Sequence, residues 1–430
     1  MQLDPDVATT TLDNGLAVTT VALPHLHTAV CALFIKVGSR FESPKDNGLS
    51  HFVEHMLFRG TERYATSLAL NTAVEQLGST LHAETGRDYT LFQLGLEPIH
   101  VAAGIDLLGE LLARPRFSDI ELERKLILEE LKEDFDEAGV EINADDIARG
   151  LAFDDHPLGQ RIIGPRTNVE RFAADDVRRH FSTFYGATNA HLCVTGPIDH
   201  TEVVDRAARA FATMPAGERA VHAPAPIIPT DGPRLRHVSD AGSQTSLAVL
   251  FRAIPELDRR YVALVALLRV LDDGMSTRLH YTIADQKALA YSIHAAIEPL
   301  ADTALFEIAG QTANAKVPAL VRETLQLLDT LRRGAITDDE LAKARVRYRY
   351  ETRASIDDAS AMAGWFGGTA LYYEPPTLST RLEAMSRVTI DDMVDVARDV
   401  LDPNHLAIAA VGTLSRARLS ELRGVVSEWR

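Results

Sequence analysis

The run His51-Phe52-Val53-Glu54-His55 sets two imidazoles and a carboxylate within five positions. Apolar residues recur at helical spacing from Gly48 to Phe58, which predicts an amphipathic helix there. On a helix His51 and His55 are i and i+4, so both rings leave one face and can grip one ion. Glu54 is three residues from His51 and borders the same face. Two His ligands and an adjacent carboxylate are what a hydrolytic zinc site needs: a Lewis acid, with Glu54 as the base for its water. The carboxylate precedes the second His, giving HxxEH, the inverse of the HExxH order. A lone His is more often a packed or surface residue than a ligand, so a third ligand from another element must complete the site.

The best source of that ligand is a second helix. Apolar spacing predicts helices over Pro98 to Leu112 and Ser118 to Phe135, the latter with Ser118 as N-cap. Within it, Leu122-Glu123-Arg124-Lys125-Leu126-Ile127-Leu128-Glu129-Glu130-Leu131-Lys132-Glu133 offers many carboxylates. Glu123 and Glu130 are seven apart and share a face. One could bind metal while the other orients a ligand histidine. The blander alternative is a solvated face whose glutamates pair with Lys and Arg, and composition alone favours that for any single Glu.

Around these helices the pattern is mixed. Ala29 to Val37 is a buried strand, and Thr80 to Glu84 and Tyr89 to Leu94 are strands about a Gly86-Arg87-Asp88 turn. Strict βαβ alternation is absent, so the expected class is α+β, helices against one face of a largely antiparallel sheet. The run from Pro215 to Pro233, with Pro224, Pro226 and Pro229, divides the chain into nearly equal halves that look related. Ala174-Asp175-Asp176-Val177 with Asn189 to Gly196 closes the first, and Ile390-Asp391-Asp392-Met393 with Asn404 to Gly412 closes the second. Phe117 to Leu122 has its counterpart in Ile336 to Leu341 at nearly the same offset. The expected organisation is therefore a duplication: 1–215 carrying the zinc motif, a linker over 216–233, and 234–430 as a homologous domain without it. The period is far too long for a stacked repeat.

Bulk properties narrow the function classes. The 430 residues are 46% apolar, enough for sizeable cores. A net charge of −17 with interspersed signs disfavours nucleic acid and anionic membrane as partners. No apolar run reaches the length of a membrane span. Cys31 and Cys193 lie in apolar strand-like runs and read as core thiols. Met1-Gln2-Leu3-Asp4-Pro5 has neither the basic start nor the apolar core of a secretory leader. The chain is thus cytoplasmic, or a mature exported protein; the bacterial periplasm is the preferred of the two.

Gly48-Leu49-Ser50-His51-Phe52-Val53-Glu54-His55-Met56-Leu57-Phe58-Arg59-Gly60-Thr61 resembles the signature of the pitrilysin, insulinase and mitochondrial processing peptidase family of zinc metallopeptidases, in its short bacterial two-domain form. The resemblance implies a distal glutamate ligand about seventy-five residues after the second His, which falls on Glu130 in Leu126-Ile127-Leu128-Glu129-Glu130, and a supporting acid one heptad earlier, Glu123. Gly78-Ser79-Thr80-Leu81-His82-Ala83 resembles the family's substrate-binding edge strand, with His82 where Asn is frequent. The likeness returns at Gly274 to Leu279 and Ala288 to Ser292, and so spans essentially the whole chain. It implies one Zn2+ per chain, held by His51, His55 and Glu130, with peptide pairing along Leu81, His82 and Ala83. Active single-chain members carry an Arg seven residues before the tyrosine equivalent to Tyr291; here that position is Ala284. Tyr291 could contact substrate, or be only a core aromatic. The missing Arg implies a heterodimer with a related two-domain subunit that lacks the zinc motif and carries the Arg/Tyr pair, with a homodimer as alternative. The function implied is hydrolysis of short or unfolded peptides; the rivals are a non-catalytic structural subunit and a zinc hydrolase of non-peptide substrates.

Overall fold

The computed structural model describes residues 3–429. Met1 and Gln2, which open the N-terminal run considered above, lie outside the described residues. The chain forms two compact units. One comprises Met1–Leu131, Arg161–Ala223 and Glu351–Ser379; the other Lys132–Gln160, Pro224–Tyr350 and Thr380–Arg430.

The first unit holds a six-stranded sheet of β1 (Asp6–Thr11), β2 (Ala17–Ala22), β3 (Ala29–Ile35), β4 (Leu81–Thr85), β5 (Thr90–Leu96) and β6 (Ala190–Gly196), in the order β1-β2-β6-β3-β5-β4. The second holds β7 (Arg234–Val238), β8 (Gln244–Ala253), β9 (Ser292–Pro299), β10 (Ala304–Ala313) and β11 (Leu406–Val411), in the order β7-β11-β8-β10-β9. Among the described residues, only β2 with β6 and β7 with β11 pair in parallel; every other pairing is antiparallel. Setting β1 aside, the two sheets have the same strand order and the same single parallel pair, so the duplication extends to topology.

Helices cover mainly one face of each sheet, as expected, and a further segment covers the other. In the first unit Val30, Ala32 and Phe34 of β3 pack against Ile356, Ala359, Met362, Ala363 and Phe366. In the second, Ala248 and Leu250 of β8 pack against Ile147, Ala148, Ala152 and Phe153. The two segments are exchanged along the chain: residues 351–379 join the first unit and 132–160 the second. The contiguous split at 215 and 234 therefore does not describe the packing, although the changeover at 223/224 lies within the expected linker. Burial on both faces explains why β3 is an unbroken apolar run with all seven residues buried. Truncating one of its large side chains, such as Phe34, costs about 3–5 kcal/mol. Cys31 and Cys193 sit in β3 and β6 with no exposed surface. Burial pushes the Cys31 thiol up to about 12, and that of Cys193 up as well.

Two local features fix the elements around the motif. The β4–β5 hairpin turns at residues 86–89, and its backbone is met closely by Gly38, where a Cβ would lie 2.3 Å from Gly86 O. Ser39 and Arg40 donate their N–H groups to Gly86 O and Arg87 O at 3.3 and 3.1 Å, and Arg40 pairs with Asp88 at 3.1 Å in a buried ion pair. The helix predicted from Ser118 runs over Ile120–Glu130 with Asp119, not Ser118, as N-cap. Asp119 has φ 62, a left-handed conformation that Asp tolerates better than most residues.

Candidate metal centre

The motif helix spans Leu49–Leu57. Leu49, Ser50, Phe52, Val53, Met56 and Leu57 are buried, leaving His51, Glu54 and His55 on the half-open side. Its N-cap is Gly48 at φ 102, where a Cβ would also meet Ile163 O at 2.6 Å, so glycine is required on both counts. The orphan N–H groups of the first turn go to a residue the sequence did not single out. Glu42 accepts from Gly48 N at 2.8 Å, Ser50 N at 2.6 Å and Asn47 Nδ2 at 3.1 Å. A fully buried carboxylate at a helix N-terminus satisfies those donors and complements the helix dipole. Burial pushes the Glu42 carboxyl up to about 7, the N–H donors opposing it. Ser50 Oγ bonds His180 Nε2 at 3.0 Å, tying the motif helix to the helix Ala174–Phe184.

The helix Ile120–Glu130 carries both expected glutamates on one face, and the two do different things. Glu130 Oε1 lies 3.5 Å from His51 Nε2 and its Oε2 3.4 Å from His55 Nε2. Glu123 instead accepts from His55 Nδ1 at 2.8 Å, and Arg59 Nε bonds its other oxygen. Glu123 is buried whereas Glu130 is half exposed. Arg124 holds this helix in place through Val169 O at 3.1 Å and Phe172 O.

Among the described residues, His51, His55 and Glu130 form the one group of three donor side chains whose ligand atoms all lie within 4.8 Å of one another. The spacing tests the fit. Bonds of about 2.0–2.1 Å at tetrahedral angles put ligand atoms about 3.3–3.4 Å apart. The separations of 3.4 and 3.5 Å match that edge and are long for a direct imidazole–carboxylate hydrogen bond, which the 2.8 Å His55–Glu123 contact illustrates. The donor set, two imidazoles and one carboxylate, suits zinc. Glu123 stands behind the His55 ring in the place where zinc sites use a carboxylate to fix the tautomer of a ligand histidine. His51 Nδ1 is buried and has no such partner among the described residues.

The imidazoles of His51 and His55 hold the Glu130 carboxyl well below the usual carboxylate range, against burial. Burial alone would push His55 down, but the hydrogen bond to Glu123 and the negative charges of Glu123 and Glu130 outweigh it and lift the imidazole to about 9. Glu123 is lowered by His55 and Arg59 despite burial, which opposes them. A divalent cation held by this cluster would displace a proton from His55.

Glu54 is half buried, and Thr85 Oγ1 donates to its Oε2 at 2.6 Å. Thr85 was not singled out from sequence; its place at the end of β4 depends on the hairpin register. β4 is the edge of the first sheet, with Leu81 buried, His82 exposed and Ala83 half buried. Tyr291 lies in the other compact unit, just before β9, and is fully exposed, which removes the reading of it as a core aromatic. Ala284 is in the short π-helical stretch His280–Gln286 of that unit.

Comparison with known proteins fits this arrangement. The insulinase family (peptidase family M16) matches residues 17–166, and the peptidase M16 inactive domain matches residues 171–348. An uncharacterized zinc protease of Streptomyces coelicolor is 29% identical over 431 residues, 98% of this chain and 93% of the relative. A probable mitochondrial-processing peptidase subunit beta of Schizosaccharomyces pombe is 28% identical over 428 residues, 95% of this chain and 92% of that one. Among solved structures, a protease from Helicobacter pylori shares the fold with a TM-score of 0.87 at 22% identity, covering 95% of this chain and 100% of that one. The two sheets of matching topology and the HxxEH helix are thus features of a chain that belongs to the M16 family of peptidases.

Proposed function

We propose that this chain is a zinc-dependent endopeptidase subunit acting on short or unfolded peptides. The observation that carries the reading is the convergence of His51, His55 and Glu130 within 4.8 Å, with Glu54 on the adjoining edge of the same helix. A zinc ion held by those three side chains would polarise the scissile carbonyl and acidify the attacking water. Glu54 Oε1, which has no protein partner among the described residues, accepts the water proton and returns it to the leaving amine. Such acid–base work contributes roughly 10² to 10⁴ in rate. The free edge of β4 offers backbone groups to an extended peptide, which favours sequence-tolerant binding along Leu81, His82 and Ala83.

Full activity on this reading needs a related two-domain subunit that supplies the Arg/Tyr pair, because position 284 is Ala. An oxyanion donor of that kind is worth roughly 10² to 10³ in rate. The test combines metal analysis with a fluorogenic peptide assay, on the chain alone and with whatever co-purifies from the host. Glu54→Gln keeps zinc and loses at least about 10²-fold in turnover. Wild-type cleavage by that variant would refute the base, and full activity of the isolated chain would remove the partner.

A further inference from the structure

We infer that Thr85 is a positioning residue for Glu54: its hydroxyl ties one carboxylate oxygen so that the other is presented alone to the reacting water. The inference rests on the peptidase reading and deepens it. Thr85 Oγ1 donates to Glu54 Oε2 at 2.6 Å, the short, charge-assisted kind of bond. Glu54 Oε1 has no protein partner among the described residues. The terminal torsion of a glutamate is soft and nearly two-fold, so an untied carboxylate samples many orientations. One strong bond to Oε2 removes that freedom.

The donor is itself held. Thr85 is 7% exposed and pairs with Thr90 across the hairpin, and Thr90 Oγ1 donates to Val37 O at 2.9 Å. The adjoining turn is fastened by Ser39 and Arg40 to Gly86 O and Arg87 O. Thr85 also ends β4, the strand whose free edge would pair with a peptide. One residue therefore belongs to the proposed substrate strand and touches the proposed base. In the reaction Glu54 Oε1 gains the water proton and later gives it to the amine nitrogen as the C–N bond breaks; Thr85 keeps its own proton throughout.

The test uses the protein as isolated from its host, zinc-loaded and with any partner retained. Thr85→Val keeps shape and removes the donor; kcat falls about 10- to 100-fold, because small misplacements of a catalytic group carry costs of that order. KM stays within about twofold, and zinc content is unchanged. Thr85→Ser restores kcat to within about threefold. Crystal structures of the wild type and Thr85→Val show the Glu54 carboxylate in one orientation in the former and in several in the latter. Wild-type kcat in Thr85→Val overturns the inference. So does a rise in KM alone, which would make Thr85 a peptide contact, or failure of Thr85→Ser to recover kcat, which would make it scaffold. If the wild-type protein cleaves no peptide, the peptidase reading falls, while the Glu54 orientation in the two crystal structures still decides Thr85.

Discussion

Glu123 and Glu130 occupy equivalent positions on successive heptads, yet one meets Nδ1 of His55 and the other Nε2 of both histidines. Seven-residue spacing says that the two share a face and leaves open which is ligand and which is support; family likeness chose Glu130 as ligand, and Glu130 is the one that approaches Nε2 of both histidines. The difference gives a graded prediction. On the proposed zinc site, Glu130→Gln removes a ligand and abolishes zinc binding at neutral pH. Glu123→Gln leaves the ligand set intact and weakens affinity about 10- to 100-fold, the usual cost of losing a carboxylate behind a ligand ring. Chelator competition measures both, and activity of Glu123→Gln returns at saturating zinc. Equal affinity in Glu123→Gln and wild type would show that the His55 contact does not act on the metal. What the sequence withheld at this scale were long-range partners: Glu42, Thr85 and Arg59 act through contacts set by tertiary packing, and no local pattern marks them.

The elements that carry the site are stitched by buried titratable groups, and these set its acid tolerance. His180 bonds Ser50 of the motif helix, and His191 of β6 bonds Thr19 Oγ1 at 2.8 Å. Burial pushes each of these imidazoles down to about 4. Between an unfolded value of about 6.5 and that value the unfolded chain binds the extra proton, so stability is lost as pH falls through this window. Glu42 runs the other way: held at about 7 in the fold, it gains stability as pH falls toward 4.5. Two histidines against one carboxylate leave a net loss of about 2 kcal/mol between pH 7 and 4.5 from these three groups. Urea midpoints across that range fall, and His191→Gln flattens the fall; a midpoint that rises on acidification would contradict the assignment. Element types here were legible because their periodicities are strong: the motif helix, β3 and the β4–β5 hairpin all lie within two residues of their expected bounds. The cap at Asp119 was not, since its left-handed backbone depends on the chain path before the helix rather than on residue preference.

At the scale of the whole molecule the duplication was readable, because both halves repeat the same signals, but the exchange of segments was not. An apolar stretch such as residues 356–366 announces that it must be covered; nothing in it says which sheet does so. The exchange predicts that residues 1–215 and 234–430, made separately, each expose an apolar sheet face and aggregate or bind a hydrophobic dye. A soluble, well-ordered 1–215 fragment by itself would contradict the packing of 351–379 on that sheet. The placement of the two thiols has a consequence of its own. Cys31 and Cys193 are the chain's only cysteines, and both lie sealed inside the zinc-motif unit. A coloured disulfide reagent can reach them only when that unit opens, so the labelling rate is a built-in clock for its breathing, blind to whatever its neighbour does; a divalent cation held at the proposed site would slow it in proportion to its affinity.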